Sequence, residues 1–452
     1  MQFNVAEILQ ITGGKLLINN NYDGNYTIST DTRTISAENL YLPLSGENFD
    51  GHNFIQPALD KGVKGYFTDK RHNIKADKAD FAILVDDCLI AYLTLARQCR
   101  RRINPKIIAV TGSSGKTSVK EMIYSVLSVK YNTHKSLLNH NNEIGLCQTL
   151  MSMPIDTQFL VIEMGMRGKG EISLLSMYSE PDIAVITNVG TAHIGRLGSR
   201  ENIAAAKCEI ADYLNPDGVL IAHNDDLIKN SLSYPIKTIF YDKADKIISA
   251  NDMGSEFIYK ENIYKINVSG DYNITNALSA IETGLLCGMN TEEINSGLDL
   301  YHPVGNRWEL IELSGNIKII NDSYNANPDS VKASVEAFID TYACYNKIIV
   351  FGNMGELGEY EQELHRQTGK FFNEKVFQEL ITVGNLAALS ADEIKNNKIK
   401  KNSFDKNQDV VKYLINSIKP DTAILLKASR CMKFEEIADS LVEINNLKER
   451  VM

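Results

Sequence analysis

The sequence has seven cysteines among its 452 residues, and no two of them form a Cys-x-x-Cys pair. Their scatter indicates neither a zinc site nor a disulfide framework, and it favours a reducing compartment. No apolar run approaches the ~18 residues that a membrane span needs, and the first residues lack a basic segment followed by an apolar core. We therefore expect a cytoplasmic protein with no membrane span.

An excess of positive charge is also missing. The chain has 47 Lys and Arg against 57 Asp and Glu, a net charge of −10 at pH 7. This balance argues against a general polyanion-binding surface and against nucleic acid as a partner, so any nucleotide must be held by local groups. No internal repeat is visible. The hydrophobic share of 44% is typical of globular proteins, and the length allows about three domains.

The sequence does contain a phosphate-binding loop, which follows the apolar run 107–110 and precedes a helical pattern. A strand, a glycine loop and a helix start direct backbone N–H groups and the positive helix terminus at one point, which suits a phosphate. Lys116, expected to be exposed, would reach the outer phosphates, and the Thr117 hydroxyl would bind Mg²⁺. The first glycine of the general pattern is replaced by Val110, and an ordinary strand-to-helix turn is the alternative. The loop residues are Thr111, Gly112, Ser113, Ser114, Gly115, Lys116 and Thr117.

Apolar strands alternate with helical patterns in the middle of the chain, which predicts a doubly wound, mostly parallel sheet. Ligands of such folds bind at the carboxyl ends of the strands, so Glu163, Asn188 and His193 should face the phosphate loop. Glu163 would suit Mg²⁺, with a capping or salt-bridged glutamate as the alternative, and His193 alone could be an ordinary loop histidine. The strands are expected at 107–111, 159–163, 183–188 and 219–222.

Two helices of this central unit carry further candidates. Lys207, on a helix expected at 201–214, lies beside three alanines that could desolvate its amine and lower its pKa, and a solvated lysine is the alternative. Asn273 and Asn276 share one face of a helix start, where they could bind a base or a substrate or simply cap the helix. Between these helices we expect an antiparallel interruption with short strands at 237–241, 257–259 and 264–268.

Smaller α/β units are expected on either side. The first has two polar loop clusters, 31–33 and 50–52, which turn chemistry explains as well as ligand binding does. The last has polar loops at its strand ends, and its glycine-rich loop 352–358 lacks the spacing of a dinucleotide fingerprint. Its strands are expected at 317–321, 347–352, 380–383 and 423–427.

Taken together, these stretches resemble the Mur ligases, the ATP-dependent amide-forming enzymes of peptidoglycan assembly. The resemblance covers nearly the whole chain in order and implies three domains. Residues 1–82 would form a small α/β domain that binds the UDP-muramoyl substrate, and residues 83–310 the central P-loop domain that binds ATP. Residues 311–452 would form a Rossmann-like α/β domain that binds D-alanyl-D-alanine and closes on ATP.

The resemblance also implies roles for single residues. Lys116, Glu163, His193 and Lys207 match catalytic positions of the family. The family lysine matching Lys207 is carbamylated by CO₂, so two Mg²⁺ ions would be held by Thr117, Glu163, His193 and the Lys207 carbamate. An Asn-x-x-Asn-Ala element and a Gly-x-Arg element assign ATP binding to further residues, namely Asn273, Asn276, Arg307 and, at the domain junction, Asp322.

Three stretches favour the branch that joins D-alanyl-D-alanine to UDP-N-acetylmuramoyl-tripeptide, namely 141–145, 322–330 and 352–358. The Asp-Asn-Pro-Arg element of the sister enzyme that adds diaminopimelate does not occur here, and one departure from the branch is Asn353, where Asp is usual. The chain is expected to be a monomer; a sister Mur-type or folylpolyglutamate-type ligase, and a P-loop switch protein, are the alternatives. The residues implied for the UDP-sugar and tripeptide are Thr32, Arg33, Asp50, Gly51, His52, Asn141 and Asn142, and those for the dipeptide are Tyr324, Asn325 and Asn327.

Overall fold

A computed structural model describes residues 1–20, 23–137 and 139–451. These residues form three six-stranded sheets that follow one another along the chain. A two-stranded antiparallel sheet belongs to the N-terminal region, and a three-stranded antiparallel sheet follows the central sheet. The predicted class, three α/β domains with a doubly wound parallel sheet in the middle, is confirmed. Within the same ranges, no helix combines the length and apolar character required to cross a bilayer.

The N-terminal sheet is mixed. Its elements are β1 Phe3–Asn4, α1 Val5–Thr12, β2 Lys15–Asn19, β3 Asn25–Ser29, β4 Asn39–Tyr41, β5 Ser45–Gly46, β6 Phe49–Asp50, α2 Ile55–Asp60, β7 Gly65–Asp69, β8 Phe81–Val85 and α3 Cys88–Ile103. The strand order is β1-β3-β4-β7-β8-β2, with antiparallel pairing only at the two edges. The expected domain limit at residue 82 falls inside β8, which pairs with both β7 and β2.

The central sheet is parallel throughout, in the order β10-β11-β9-β12-β13-β14. Its four inner strands are short apolar runs buried almost throughout, as parallel strands covered by helices require, whereas the edge strands β10 and β14 are half-buried. The elements of this region are β9 Lys106–Thr111, α4 Lys116–Ser128, β10 Thr133–Lys135, α5 Glu143–Ser152, β11 Phe159–Glu163, α6 Glu171–Ser179, β12 Ile183–Ile186, α7 Ile194–Leu197, α8 Arg200–Cys208, β13 Val219–His223, α9 Asp226–Ser231, β14 Thr238–Tyr241, β15 Lys246–Asn251, β16 Gly254–Tyr259, β17 Asn262–Ile266, α10 Asp271–Leu286 and α11 Thr291–Asp299.

Two expectations for this region are wrong. β14 is not part of an antiparallel interruption, because it pairs in parallel with β13 at the edge of the central sheet. Only β15, β16 and β17 form the antiparallel sheet. The direction of a short, half-exposed strand is not encoded in its apolar pattern, which explains the error. The helix expected at 201–214 ends at Cys208 and continues as a 3₁₀ turn, Glu209–Ala211, whose buried Ile210 prolongs the apolar pattern.

The C-terminal sheet has the order β18-β19-β23-β20-β21-β22, and only the β18–β19 pair is antiparallel. The expected domain limit at residue 310 falls inside β18. The elements are β18 Glu309–Leu313, β19 Ile317–Asn321, α12 Pro328–Thr341, β20 Asn346–Gly352, α13 Glu361–Asn373, β21 Glu379–Val383, α14 Asn385–Asp392, β22 Lys400–Phe404, α15 Asn407–Ser417, β23 Thr422–Lys427 and α16 Glu435–Val451.

One apolar core extends from the central sheet into the C-terminal domain. At the junction, the rings of Tyr272 on α10 and Trp308 before β18 meet edge to face with centroids 5.8 Å apart. Ile320 and Val331 of the C-terminal domain belong to the same buried cluster as Ile108 of β9. The carboxyl ends of β9, β11 and β12 face the C-terminal domain across a cleft that residues of both domains line.

A network of polar side chains, formed by Asp69, His72, Asp50 and His52, connects loops of the N-terminal domain. His72 lies between two carboxylates, with Nδ1 2.8 Å from Asp69 Oδ1 and Nε2 3.0 Å from Asp50 Oδ2. Asp50 Oδ1 in turn lies 3.0 Å from Nδ1 of the buried His52, whose ring stacks on that of His72 at 3.7 Å. The hydrogen bond to Asp69 raises the pKa of His72, whereas burial lowers the pKa of His52. The charged form of His72 therefore satisfies both carboxylates.

We expect His72→Gln to lower the free energy of unfolding more at low pH than at high pH. The raised pKa means that the stabilisation is complete below the unfolded-state value of about 6.5 and is lost as the pH rises through the higher native value. Urea unfolding of both proteins from about pH 5.5 to about pH 8.5 should show a difference that shrinks as pH rises. The exposed His302, replaced by Gln, is the control. A difference that grows with pH would contradict the charged state.

Candidate active site

A cavity of about 1120 Å³ opens between the central and C-terminal sheets. The phosphate loop, the ends of β11 and β12, and the start of α10 line it from the central domain. The loops after β19, β20 and β23 line it from the C-terminal domain. The cavity therefore brings together the strand ends of two α/β domains, where ligands of such sheets bind.

The phosphate loop turns from β9 into α4 through Gly115, which caps the helix in the left-handed conformation with φ +78°. Lys116 folds back over the loop, and its Nζ donates a hydrogen bond to Gly112 O at 2.9 Å. It is half-buried, so the expectation that it would be exposed is wrong. Removal from water lowers the pKa of Lys116, an effect that the negative charge of Glu163 opposes. The amine is therefore held against the phosphate loop.

A carboxylate and a hydroxyl lie side by side beneath this loop. Thr117 Oγ1 donates to Glu163 Oε2 at 2.6 Å, and Asn141 Nδ2 donates to Glu163 Oε1 at 2.9 Å. Thr117 and Glu163 are both buried, and Glu163 neither caps a helix nor forms a salt bridge among the described residues. Two oxygen ligands in a buried position next to a phosphate loop fit a divalent cation such as Mg²⁺. Asn141, expected at the sugar or tripeptide, orients Glu163 in this arrangement.

The strand end after β12 contributes Asn188 and His193. Asn188 Oδ1 accepts from Ser114 N at 3.0 Å and its Nδ2 donates to Ser114 O at 3.1 Å, which fixes the phosphate loop. His193 lines the cavity in a left-handed conformation with φ +66°. Its Nδ1 lies 2.7 Å from Glu356 Oε2 of the C-terminal domain, an ion-pair contact without the alignment of a hydrogen bond.

Lys207 is buried on α8, with 1% of its surface exposed, so the alternative of a solvated helix lysine is wrong. Among the described residues its amine has no hydrogen-bond or ion-pair partner. Burial lowers its pKa well below the usual value, and the charge of Lys116 acts in the same direction. Lys207 does not itself line the cavity. Burial thus favours the neutral form of this amine, which is the form that can capture CO₂.

The residues expected at the nucleotide are brought to the cavity from both domains. Asn273 Nδ2 donates to Ser269 O at 2.7 Å. Asn276 lies so close to the phosphate loop that a Cβ on Gly115 would be 2.5 Å from its Oδ1. Neither asparagine caps α10, whose cap residue is Gly270. The alternative of helix capping is therefore wrong for both.

Arg307 and Asp322 meet the cavity from the domain junction. The Arg307 guanidinium lies 3.5 Å from the centroid of the Tyr324 ring. Asp322 accepts from the hydroxyl of Ser334 and pairs with Lys427 Nζ at 2.6 Å. Lys427 is itself buried, so the pair is fixed before any ligand binds.

Residues expected at the dipeptide line the same cavity. Tyr324 presents its ring beneath Arg307, and Asn325 Oδ1 accepts from Ala326 N at 2.9 Å within its own loop. Asn327 caps α12 by accepting from Ser330 N at 2.9 Å. Asn142 likewise caps α5, and both asparagines line the cavity.

The N-terminal candidates do not line this cavity. Arg33 forms an exposed ion pair with Asp31 at 2.7 Å, which lowers the pKa of Asp31 to about 2. Gly51 O accepts from Tyr41 Oη at 2.8 Å, and Asp50 and His52 belong to the polar network with His72. Thr32 O accepts from Lys61 Nζ at 2.7 Å. These contacts fix loops of the N-terminal domain.

Sequence reasoning missed several polar residues of the cavity, among them Lys427, Ser429, Arg430 and Glu356. Lys427 is the last residue of β23, and Ser429 and Arg430 follow shortly after it. A polar residue at a strand end was the signal used for Glu163. Applied to the last strand of the chain, the same rule would have found them. Glu356 lies in the loop after β20, within the stretch 352–358 noted in the sequence, where no role was assigned to this residue.

Family models match three stretches of the chain. They are described as "Mur ligase family, catalytic domain" (residues 26–114), "Mur ligase middle domain" (residues 110–284) and "Mur ligase, glutamate ligase domain" (residues 306–430). The chain is 38% identical over 451 residues to the UDP-N-acetylmuramoyl-tripeptide--D-alanyl-D-alanine ligase of Bacillus subtilis (strain 168), covering 97% of this chain and 98% of that protein. The chain belongs to the Mur ligase family.

Solved structures of this family superpose over nearly the whole chain. A crystal structure of MurF from Acinetobacter baumannii matches with a TM-score of 0.89 at 28% identity, covering 98% of this chain and 99% of that one. MurF from Thermotoga maritima in complex with ADP matches with a TM-score of 0.83 at 26% identity, covering 94% of this chain and 98% of that one. The resemblance seen in the sequence motifs is confirmed, and ATP is the nucleotide of this Mur ligase.

We expect Gly115→Ala to weaken ADP binding far more than Gly170→Ala does. Both glycines have left-handed backbone conformations, at φ +78° and φ +86°, and each directly precedes a helix. Each alanine therefore incurs a similar backbone strain of roughly 1–2 kcal/mol. At Gly115 the new Cβ would also lie 2.5 Å from Asn276 Oδ1, whereas at Gly170 no atom of the described residues lies within 4 Å of it. Isothermal titration calorimetry with ADP measures the difference. Equal affinities in the two variants would contradict the contact.

Proposed function

We propose that this Mur ligase joins D-alanyl-D-alanine to the terminal carboxylate of UDP-N-acetylmuramoyl-tripeptide with ATP, and so forms the pentapeptide precursor of peptidoglycan. The observation that carries the proposal is the sharing of one cavity by the phosphate loop and the 322–330 loop. The second loop is a stretch that favours this branch of the family, and two relatives named UDP-N-acetylmuramoyl-tripeptide--D-alanyl-D-alanine ligase match 97% and 92% of the chain.

The chemical problem is that a carboxylate is a poor electrophile in water. Transfer of the γ-phosphoryl group to the tripeptide carboxylate gives an acyl phosphate, and the dipeptide amine then attacks its carbonyl carbon and releases phosphate. Both steps concentrate negative charge, so fixed cations at the meeting point lower the barrier. Lys116 supplies one such charge at the β- and γ-phosphates, and the loop N–H groups would donate hydrogen bonds to phosphate oxygens.

In this proposal two Mg²⁺ ions would neutralise phosphate charge and polarise the substrate carboxylate. Thr117 and Glu163 would hold the first ion. His193 would hold the second together with the carbamate of Lys207, whose buried neutral amine can take up CO₂. Asn273 and Asn276 would contact the adenosine end, while Arg307 and Asp322 approach phosphate and ribose from the domain junction.

The three domains divide the remaining tasks. Residues 1–82 would bind the UDP-sugar through Thr32 and Arg33 on loops fixed by Asp50, Gly51 and His52. Asn141 and Asn142 would receive the tripeptide at the edge of the cavity, and Tyr324, Asn325 and Asn327 the dipeptide. Since one chain supplies every residue in this scheme, we propose that it acts as a monomer, at the cytoplasmic stage of precursor synthesis.

We expect the purified protein to release phosphate only when ATP, Mg²⁺, UDP-N-acetylmuramoyl-tripeptide and D-alanyl-D-alanine are all present. Mass spectrometry should find one pentapeptide product per phosphate, and tripeptides ending in lysine or diaminopimelate would show which is used. Lys116→Ala should reduce turnover by a factor on the order of 100 to 1,000, because a charge facing the transition state is lost. Turnover with a folate in place of the tripeptide, or with nucleotide alone, would favour a folylpolyglutamate-type ligase or a P-loop switch instead.

We expect Lys207→Ala to be inactive and to recover activity with acetate, because a small carboxylate can replace the missing carbamate. Lys207→Arg keeps a positive charge but cannot form the carbamate, so it should stay inactive. Lys116→Ala is the matched control and should gain nothing from acetate, since it lacks a cation. Steady-state ligation rates across an acetate series make the comparison. An active Lys207→Arg, together with no rescue of Lys207→Ala, would overturn the carbamate.

A further inference from the structure

The segment 190–196, here called the His193 loop, lies between β12 and α8 and includes the start of the short helix α7. The C-terminal domain contacts it at several points. Asp329, the second residue of α12, accepts two hydrogen bonds through Oδ2, from Thr191 N and from Thr191 Oγ1, both at 2.7 Å. The same carboxylate oxygen lies where a Cβ on Gly190 would be 2.6 Å away. Asp329 therefore packs on the loop closely enough to exclude a side chain.

A second carboxylate meets the loop from the segment after β20. Glu356 Oε2 lies 2.7 Å from His193 Nδ1, and both residues have left-handed backbones, at φ +61° and φ +66°. Residues other than glycine seldom adopt this conformation, and such strain persists only where the surroundings hold it in place. Two strained residues that face each other across a domain boundary indicate that the contact itself is maintained.

Backbone packing completes the contact. A Cβ on Gly195 would lie 2.6 Å from Gly358 N and 2.7 Å from Leu357 C, so only glycine permits the approach. The His193 loop is thus touched by α12, by Glu356 and by the backbone at Gly358. All three belong to the domain whose loops line the acceptor side of the cavity.

We propose that Asp329 and Glu356 are positioning residues, which hold the His193 loop in its working conformation only when the C-terminal domain is seated on the central domain. The inference rests on the proposed function, because it gives His193 a role in the reaction. Its consequence is that the metal-binding side of the phosphate site is completed by the domain that brings the acceptor. Phosphoryl transfer to water is thereby disfavoured while that domain is away.

The first test needs no substrate. Hydrogen–deuterium exchange of the ligand-free protein is measured over peptides covering the loop, in Asp329→Ala, Glu356→Gln and Thr191→Val. The last variant removes the hydroxyl donor and leaves α12 unchanged, so it stays informative if Asp329→Ala fails to fold. We expect exchange in the loop to accelerate on the order of ten-fold, since either the hydrogen bonds to the Asp329 carboxylate or the contact of Glu356 with His193 is lost or weakened. The exposed carboxylates Asp340, on α12, and Glu359, replaced by Ala and Gln, are the matched controls.

The second test separates positioning from mere stability. In the ligation assay the positioning variants should lower kcat and raise the Mg²⁺ concentration for half-maximal rate, each by about ten-fold, while KM for ATP stays within about two-fold of the wild type. Thermal unfolding temperatures should match those of the controls. Unchanged loop exchange, or faster exchange with unchanged kcat and Mg²⁺ dependence, would overturn the inference. A wild-type protein that does not ligate would instead overturn the proposed function, which the exchange experiment does not depend on.

Discussion

The hydrogen bond from Thr117 to Glu163 connects the phosphate loop to the end of the neighbouring strand, and the rest of the site is arranged around it. It exists because β9 and β11 are parallel neighbours, with Glu163 opposite Val110, so their carboxyl ends meet at one edge. Asn141, two residues before α5, donates to the other oxygen of the same carboxylate. One buried carboxylate is thereby fixed by two elements before any cation binds.

Burial is the main cause of the depressed pKa values of two lysines of this region, Lys116 and Lys207, whose further contacts differ. Lys116 is turned onto its own loop by the carbonyl of Gly112, so its charge stays where phosphate would bind. Lys207 is buried on α8 and feels the charge of Lys116, and both effects favour its neutral form. A charged Lys116 and a Lys207 whose neutral form is favoured are what the proposed charge clamp and CO₂ acceptor require.

Much of this arrangement was predictable from the sequence because buried parallel strands are short apolar runs that end in polar residues. β11 and β19 were expected at their observed limits, 159–163 and 317–321. The direction of β14 was not predictable, since an edge strand carries no pattern of its neighbour's orientation. The burial of Lys207 was left open because a lysine after three alanines reads equally well on an exposed face. Glu356 was missed because its contact to His193 arises from domain packing, about which local patterns say nothing.

The central claim is that the γ-phosphoryl group of ATP is transferred to the substrate carboxylate before the amide forms. Tripeptide substrate carrying ¹⁸O in its terminal carboxylate tests this claim directly, in one turnover with ATP and D-alanyl-D-alanine. The carboxylate oxygen that attacks the γ-phosphorus leaves with phosphate when the amine displaces it. We therefore predict one ¹⁸O atom in each phosphate released, measured by mass spectrometry. Product pentapeptide formed alongside unlabelled phosphate would contradict the account.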